Sequence, residues 1–184
     1  MPGIATILCR RVLAPALWCS LVLAADPGGD FTLTTHDGAP YSTQSSRGQV
    51  LVLVFGYTWC PDVCPTLLAA VAAALAALGE DANRVQPLFV SLDPDRDTPR
   101  KLRAYVTSFH PRIIGLTGSA QVLKRVAAQY NVRYQFVGRD SQENYTLDHT
   151  ASFYVVDTAG RLARLLPYGL PPQALVEAVR ELLP

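Results

Sequence analysis

Cys60 and Cys64 stand in the stretch FGYTWCPDVCPTLL with three residues between them, one more than in the C-x-x-C arrangement of dithiol redox sites. Two thiols this close support three kinds of chemistry: closing to a disulfide, exchanging with a partner's disulfide, or gripping a soft metal ion as thiolates. A purely structural bridge fits poorly, because it would close a very small loop and restrain little of the unfolded chain. Two thiolates alone leave a metal short of ligands, and an imidazole added to them suits copper or zinc. The sequence offers His36, His110 and His149. His36 falls in a turn and His110 before Pro111 at a helix end, where solvated or capping roles account for them. His149 enters the apolar run LDHTASFYVVD, where either a ligand role or a hydrogen bond at a strand edge accounts for a polar ring.

The pair must be held by what flanks it. Before it, residues 50–55 (VLVLVF) form an unbroken apolar, branched run that suits a strand buried on both faces. After it, LLAAVAAALAAL predicts a helix that stops at Gly79. The free N–H groups of a first helical turn favour a negative sulfur. Pro61 and Pro65 leave two geometries open. If Pro65 takes the first helical position, Cys64 is near the N-cap with Cys60 in the loop above; if the turn is helical from Pro61, the sulfurs stack at i and i+4, about 6 Å apart along the axis.

Farther along, Asp37-Gly38 between short β-prone runs predicts an N-terminal hairpin. VQPLFVSL reads as a second buried strand, and Thr98 followed by Pro99 opens a helix to about residue 109. A short apolar run at residues 113–116, a helix over SAQVLKRVAAQYNV, a strand at 134–137, a polar loop, two strands in ASFYVVD and RLARLLPY, and a last helix in PPQALVEAVRELL complete the chain. Strands alternating with helices, then a closing hairpin and terminal helix, predict an α/β sandwich with a mixed central sheet. A single domain over residues 26–184 follows from the length.

Residues 1–25 differ from the rest: Arg10 and Arg11, then a 14-residue apolar run from 12 to 25. This is the order of an export signal, and the run is shorter than the roughly 20 residues that span a bilayer. The expectation is a cleaved signal peptide or, if retained, a short membrane anchor, with the domain exported to the periplasm. Cys9 and Cys19 belong to this leader, which leaves Cys60 and Cys64 as the only thiols beyond it. Outside the cytosol such a pair is a disulfide or is kept reduced for a purpose. The whole chain carries 16 basic and 15 acidic residues with no dense basic block, which argues against a nucleic-acid partner.

Four stretches, GYTWCPDVCP, SLDPDRDTP, FHPRIIGLTG and DHTASFYVVD, occur in an order and over a span that resemble the SCO/SenC family of copper-binding, thioredoxin-like proteins. Members of that family assemble the binuclear copper centre of cytochrome c oxidase. The resemblance implies a thioredoxin-like fold, with Cys60, Cys64 and His149 as ligands of Cu(I) or Cu(II), and a loop near the histidine that closes over the cysteines. It implies that Asp93 lies at a strand end close to the site and tunes it, while Asp95, Arg96 and Asp97 read as a turn and helix start only. Its implied partner is the copper-accepting oxidase subunit, together with another periplasmic copper chaperone or a thiol reductant. Trp59, directly before Cys60, is a thioredoxin feature and keeps a second activity in view: thiol–disulfide exchange, with Cys60 and Cys64 as a redox-active pair reducing the copper-site cysteines of that subunit or another exported protein. A peroxide-reducing or redox-sensing role is a third.

Overall fold

The computed structural model of the chain describes residues 27–138, 140 and 144–184. The leader expected at residues 1–25 lies outside the described residues. An N-terminal hairpin pairs β1 (Thr32–Thr35) with β2 (Pro40–Ser42), and Gly38 turns it at a φ of +83°, which a side chain would oppose. β3 (Val50–Gly56) is buried along its whole length. It leads through the cysteine loop into α1 (Val63–Leu78), which ends at Gly79 as its sequence suggests. Cys64, Leu67, Leu68, Val71, Leu75 and Leu78 form the buried stripe of α1, three or four residues apart, so Cys64 is the first member of the helix's core face.

Next come β4 (Val85–Ser91) and α2 (Pro99–Phe109), where the Thr98 hydroxyl accepts the Lys101 N–H and Pro99 takes the first helical position. β5 (Ile114–Thr117) and α3 (Ala120–Gln129) follow, the latter capped by Ser119. β6 (Tyr134–Val137) pairs with β7 (Thr146–His149) as a separate two-stranded ribbon. β8 (Ser152–Val156), β9 (Leu162–Pro167) and α4 (Pro172–Arg180) close the chain.

Among the described residues the main sheet has seven strands in the order β2-β1-β5-β4-β3-β8-β9. β3, β4 and β5 run parallel and the other pairings are antiparallel, which is the mixed sheet expected. Helices cover both faces. Phe89 of β4 lies beside the α2 residue Tyr105 and beside Gly56, whose face α1 covers. On the other face, Tyr130 at the end of α3 packs its ring on Phe55 and Tyr154. Alternate residues of β3 therefore meet opposite layers, which is why its sequence is apolar throughout rather than alternating.

The pairing registers decide what meets at one end of the sheet. Gly56 pairs with Ser91, so the segments that follow β3 and β4 emerge side by side. β8 runs the other way, with Val54 opposite Phe153, so the residues just before β8 arrive at that same end. Cys60, Asp93 and His149 are thereby brought together from three distant parts of the chain. In open α/β sheets this end of the parallel strands is the usual place for ligand sites.

Candidate metal centre

The cysteine loop resolves the two geometries left open by Pro61 and Pro65. The helix starts at Val63, so Cys64 is its second residue, Pro65 its third, and Cys60 lies outside it. Pro65 costs nothing there, because the first four N–H groups of a helix have no partner within it. Asp62 stands in the N-cap position but its side chain makes no capping bond. The Cys60 sulfur accepts the Cys64 N–H instead, at 3.4 Å. A sulfur thus serves as the helix cap.

That placement separates the two thiols chemically. The Cys60 pKa is drawn down to about 4, first by the hydrogen bond from the Cys64 thiol and then, against the cost of burial, by the N–H groups of Asp62 and Cys64. Cys64 is pushed far up, because its proton is held between the sulfurs and because it is buried. No disulfide joins Cys60 to Cys64. The pair is poised as one thiolate and one thiol.

Gly56 makes room for this. A Cβ at that position would lie 2.5 Å from the Cys64 Sγ and 3.1 Å from the Phe89 ring, so the last residue of β3 must lack a side chain for Cys64 to seat. Nothing in the sequence singled Gly56 out; the only signal is a glycine ending an otherwise bulky strand.

His149 closes the group. Its Nε2 lies 3.4 Å from the Cys64 Sγ, and the two sulfurs and a ring nitrogen all fall within 4.8 Å of one another. The other ring nitrogen, Nδ1, is 3.1 Å from the Thr150 carbonyl oxygen. A carbonyl can only accept, so Nδ1 carries a proton, and Nε2 is the ring nitrogen that faces the sulfurs. Tyr57 meets the imidazole edge to face, with ring centroids 6.0 Å apart. His149 is half-buried and lines two surface hollows, of about 340 and 300 Å³; Cys60 lines the second of them. The site opens to solvent on the side from which a partner could reach it.

The sequence placed His149 at the entrance to the apolar strand, whereas it ends the separate strand β7, and Thr150 and Ala151 intervene before β8. Asp148 points its carboxylate toward Gln135, away from the ring, as strand alternation requires. The other histidines hold the fold elsewhere: the His36 Nδ1 accepts the Gly115 N–H at 2.9 Å, and the His110 Nδ1 accepts the Arg112 N–H at 3.2 Å.

Asp93 is fully buried at the end of β4. Its carboxylate accepts the Tyr145 hydroxyl at 2.6 Å and the Arg96 Nε–H at 2.5 Å, so it reaches the sulfurs only through other residues. Arg96 and Asp97, expected to be no more than a turn and helix start, both face the site. Asp97 is buried, and its carboxylate accepts the Ser91 and Thr58 hydroxyls, each at 2.6 Å, and the Thr58 N–H at 3.1 Å. Burial pushes its pKa up while these donors oppose the shift. Asp97 thereby pins the loop two residues before Cys60. The sequence hid these roles because D-P-D-R-D-T-P is also a good turn followed by a capped helix.

A sequence profile of the SCO1/SenC family matches residues 22–184. The chain belongs to the SCO1/SenC family. It is 39% identical over 157 residues to Protein SCO2, mitochondrial, of Saccharomyces cerevisiae, a match that covers 84% of this chain and 52% of that protein. It is 36% identical over 154 residues to an SCO2-like protein of Rickettsia conorii, covering 83% of this chain and 75% of the relative. The chain thus spans about half the length of the yeast relative. Among solved structures, Bradyrhizobium japonicum ScoI with copper bound superposes with a TM-score of 0.78 at 36% identity, covering 85% of this chain and 99% of that one. Arabidopsis thaliana ScoI with copper bound gives 0.77 at 34%, covering 84% and 96%. The family fold is thioredoxin-like, as the resemblance of the four stretches implies, and its mixed sheet is the one the element order predicts.

Proposed function

We propose that this SCO1/SenC protein binds copper through Cys60, Cys64 and His149 and delivers it to the copper-accepting subunit of cytochrome c oxidase. The observation that carries this reading is the convergence of two sulfurs and an imidazole nitrogen within 4.8 Å. Soft thiolates with one imidazole are the donor set that suits copper, and structures of relatives at 34% and 36% identity hold copper. Cys60, already ionised, meets the incoming cation. Cys64 gives up its proton as its sulfur binds, and the Nε2 lone pair of His149 supplies the third bond, so one proton leaves per copper taken up. Release runs in reverse through the open side, with acceptor ligands replacing these three one at a time. Asp93 acts at one remove, through Arg96 and Tyr145. Residues 1–25 direct the domain out of the cytosol to the periplasm and are then cut off or kept as an anchor.

The second activity, thiol–disulfide exchange, is favoured by the unequal ionisation of the pair. The Cys60 thiolate attacks one sulfur of a partner's disulfide and expels the other as thiolate. Cys64, deprotonated, then attacks the Cys60 sulfur, leaving a Cys60–Cys64 disulfide and a partner reduced by two electrons. An external thiol reductant resets the pair.

The role of His149 distinguishes the two, since exchange has no use for the imidazole. In cells that depend on this protein for oxidase maturation, both Cys60→Ser and His149→Ala are expected to abolish assembly of the copper centre. Full maturation with His149→Ala, alongside its loss with Cys60→Ser, would establish exchange as the function.

A further inference from the structure

His149 sits on a ribbon that is no part of the main sheet: among the described residues β7 pairs only with β6. Something other than sheet hydrogen bonding must fix where the imidazole stands. We propose that Arg96 is the positioning residue that latches the β6–β7 ribbon, and with it His149, over the cysteine pair.

Arg96 lies between the ribbon and the cysteine loop and touches both. Its Nη1 donates to the Tyr145 carbonyl at 2.9 Å, one residue before β7 begins, and its guanidinium carbon lies 3.5 Å from the centroid of the Tyr145 ring. The same guanidinium is 5.7 Å from the Tyr57 ring and 5.8 Å from the Trp59 ring, both in the segment that leads to Cys60. Tyr57 in turn packs edge-on against His149. Among the described residues the buried Nη2 has no hydrogen-bond partner, so the group keeps this position at the cost of one unsatisfied nitrogen. The buried Asp93 carboxylate holds the root of the latch from two sides, through Arg96 Nε and the Tyr145 hydroxyl. A planar, permanently charged fork can donate to a carbonyl and a carboxylate while lying flat on a ring; an ammonium cannot do all three.

The inference rests on the copper reading only in its second readout. Arg96→Lys keeps a cation beside Asp93 but loses the fork. In the metal-free, reduced full chain, native-state hydrogen exchange of the β7 amides is expected to accelerate about tenfold or more while β3 and β4 keep their protection. Transfer of Cu(II) from the loaded chain to a competing chelator is expected to speed up by a similar factor, since residues that orient a ligand are worth about 10- to 100-fold in metal affinity. In a His149→Ala background, the Arg96→Lys change should leave copper release unaltered. Unchanged β7 exchange, or equal acceleration in β3, β4 and β7, would overturn the latch. If the unmutated chain takes up no copper, the copper reading fails, and the exchange measurement still decides the latch.

Discussion

Three residues separate Cys60 from Cys64, yet their chemistry diverges because the helix begins between them. Cys60, outside the helix, collects N–H donors and the Cys64 proton; Cys64, on the helix's buried stripe, shares that proton and loses its solvation, which a backbone hydrogen bond at Tyr57 only partly opposes. The sign of the pH dependence follows. An ordinary thiol is mostly protonated below about pH 8.5, so its alkylation rate rises about tenfold per pH unit there. Cys60, with its pKa drawn down to about 4, is already ionised at pH 6. Alkylation of the reduced, metal-free chain by iodoacetamide, followed by peptide mass spectrometry, should therefore label Cys60 first, at a rate nearly flat between pH 6 and 8. Equal labelling of both cysteines, or a tenfold rise per unit for Cys60, would contradict this account of the cap.

At the scale of elements, the site is an arrangement of strand ends, and its tolerance is set by how closely α1 approaches β3. Gly56→Ala would put a methyl group 2.5 Å from the Cys64 sulfur inside a packed layer that includes Phe89. Overpacking of this kind typically costs about 1–3 kcal/mol. Urea denaturation should show that loss, and a chain as stable as the unmutated one would mean that α1 shifts more freely than its buried stripe suggests. The same elements explain what could be read in advance. Val50 to Phe55 announced a strand covered on both faces, and Thr98-Pro99 announced a helix start, because local chemistry determines both. The start of α1 was ambiguous between two prolines, since a proline is accepted anywhere in the first turn. β7 was hidden because Thr146 to His149 is short and polar at alternate places, and because it pairs with β6 in a ribbon outside the main sheet. Gly56 and Asp97 matter through contacts with residues 8 and 39 positions away, which no local pattern reports.

For the whole molecule, topology does what no single motif does: parallel β3 and β4 deliver Cys60 and Asp93 to one end of the sheet, and antiparallel β8 returns His149 to it across 85 positions from Cys64. The three candidate donors stood out in sequence through the resemblance of four separated stretches, while the residues alone set His36 and His110 aside and left His149 open between a ligand and a hydrogen bond at a strand edge. The fold accounts for the other two, since His36 and His110 bond backbone N–H groups away from the site. The claim that depends on the entire arrangement is that this chain binds copper with two sulfurs and one imidazole. Anaerobic titration of the reduced chain with copper, followed by absorption spectroscopy of the Cu(II) form, tests it most directly. The account predicts saturation at one copper per chain with a thiolate-to-Cu(II) charge-transfer band, and a His149→Ala variant that binds more weakly with that band shifted or lost. No stoichiometric binding by the unmutated chain, or an identical band and affinity after His149→Ala, would contradict it.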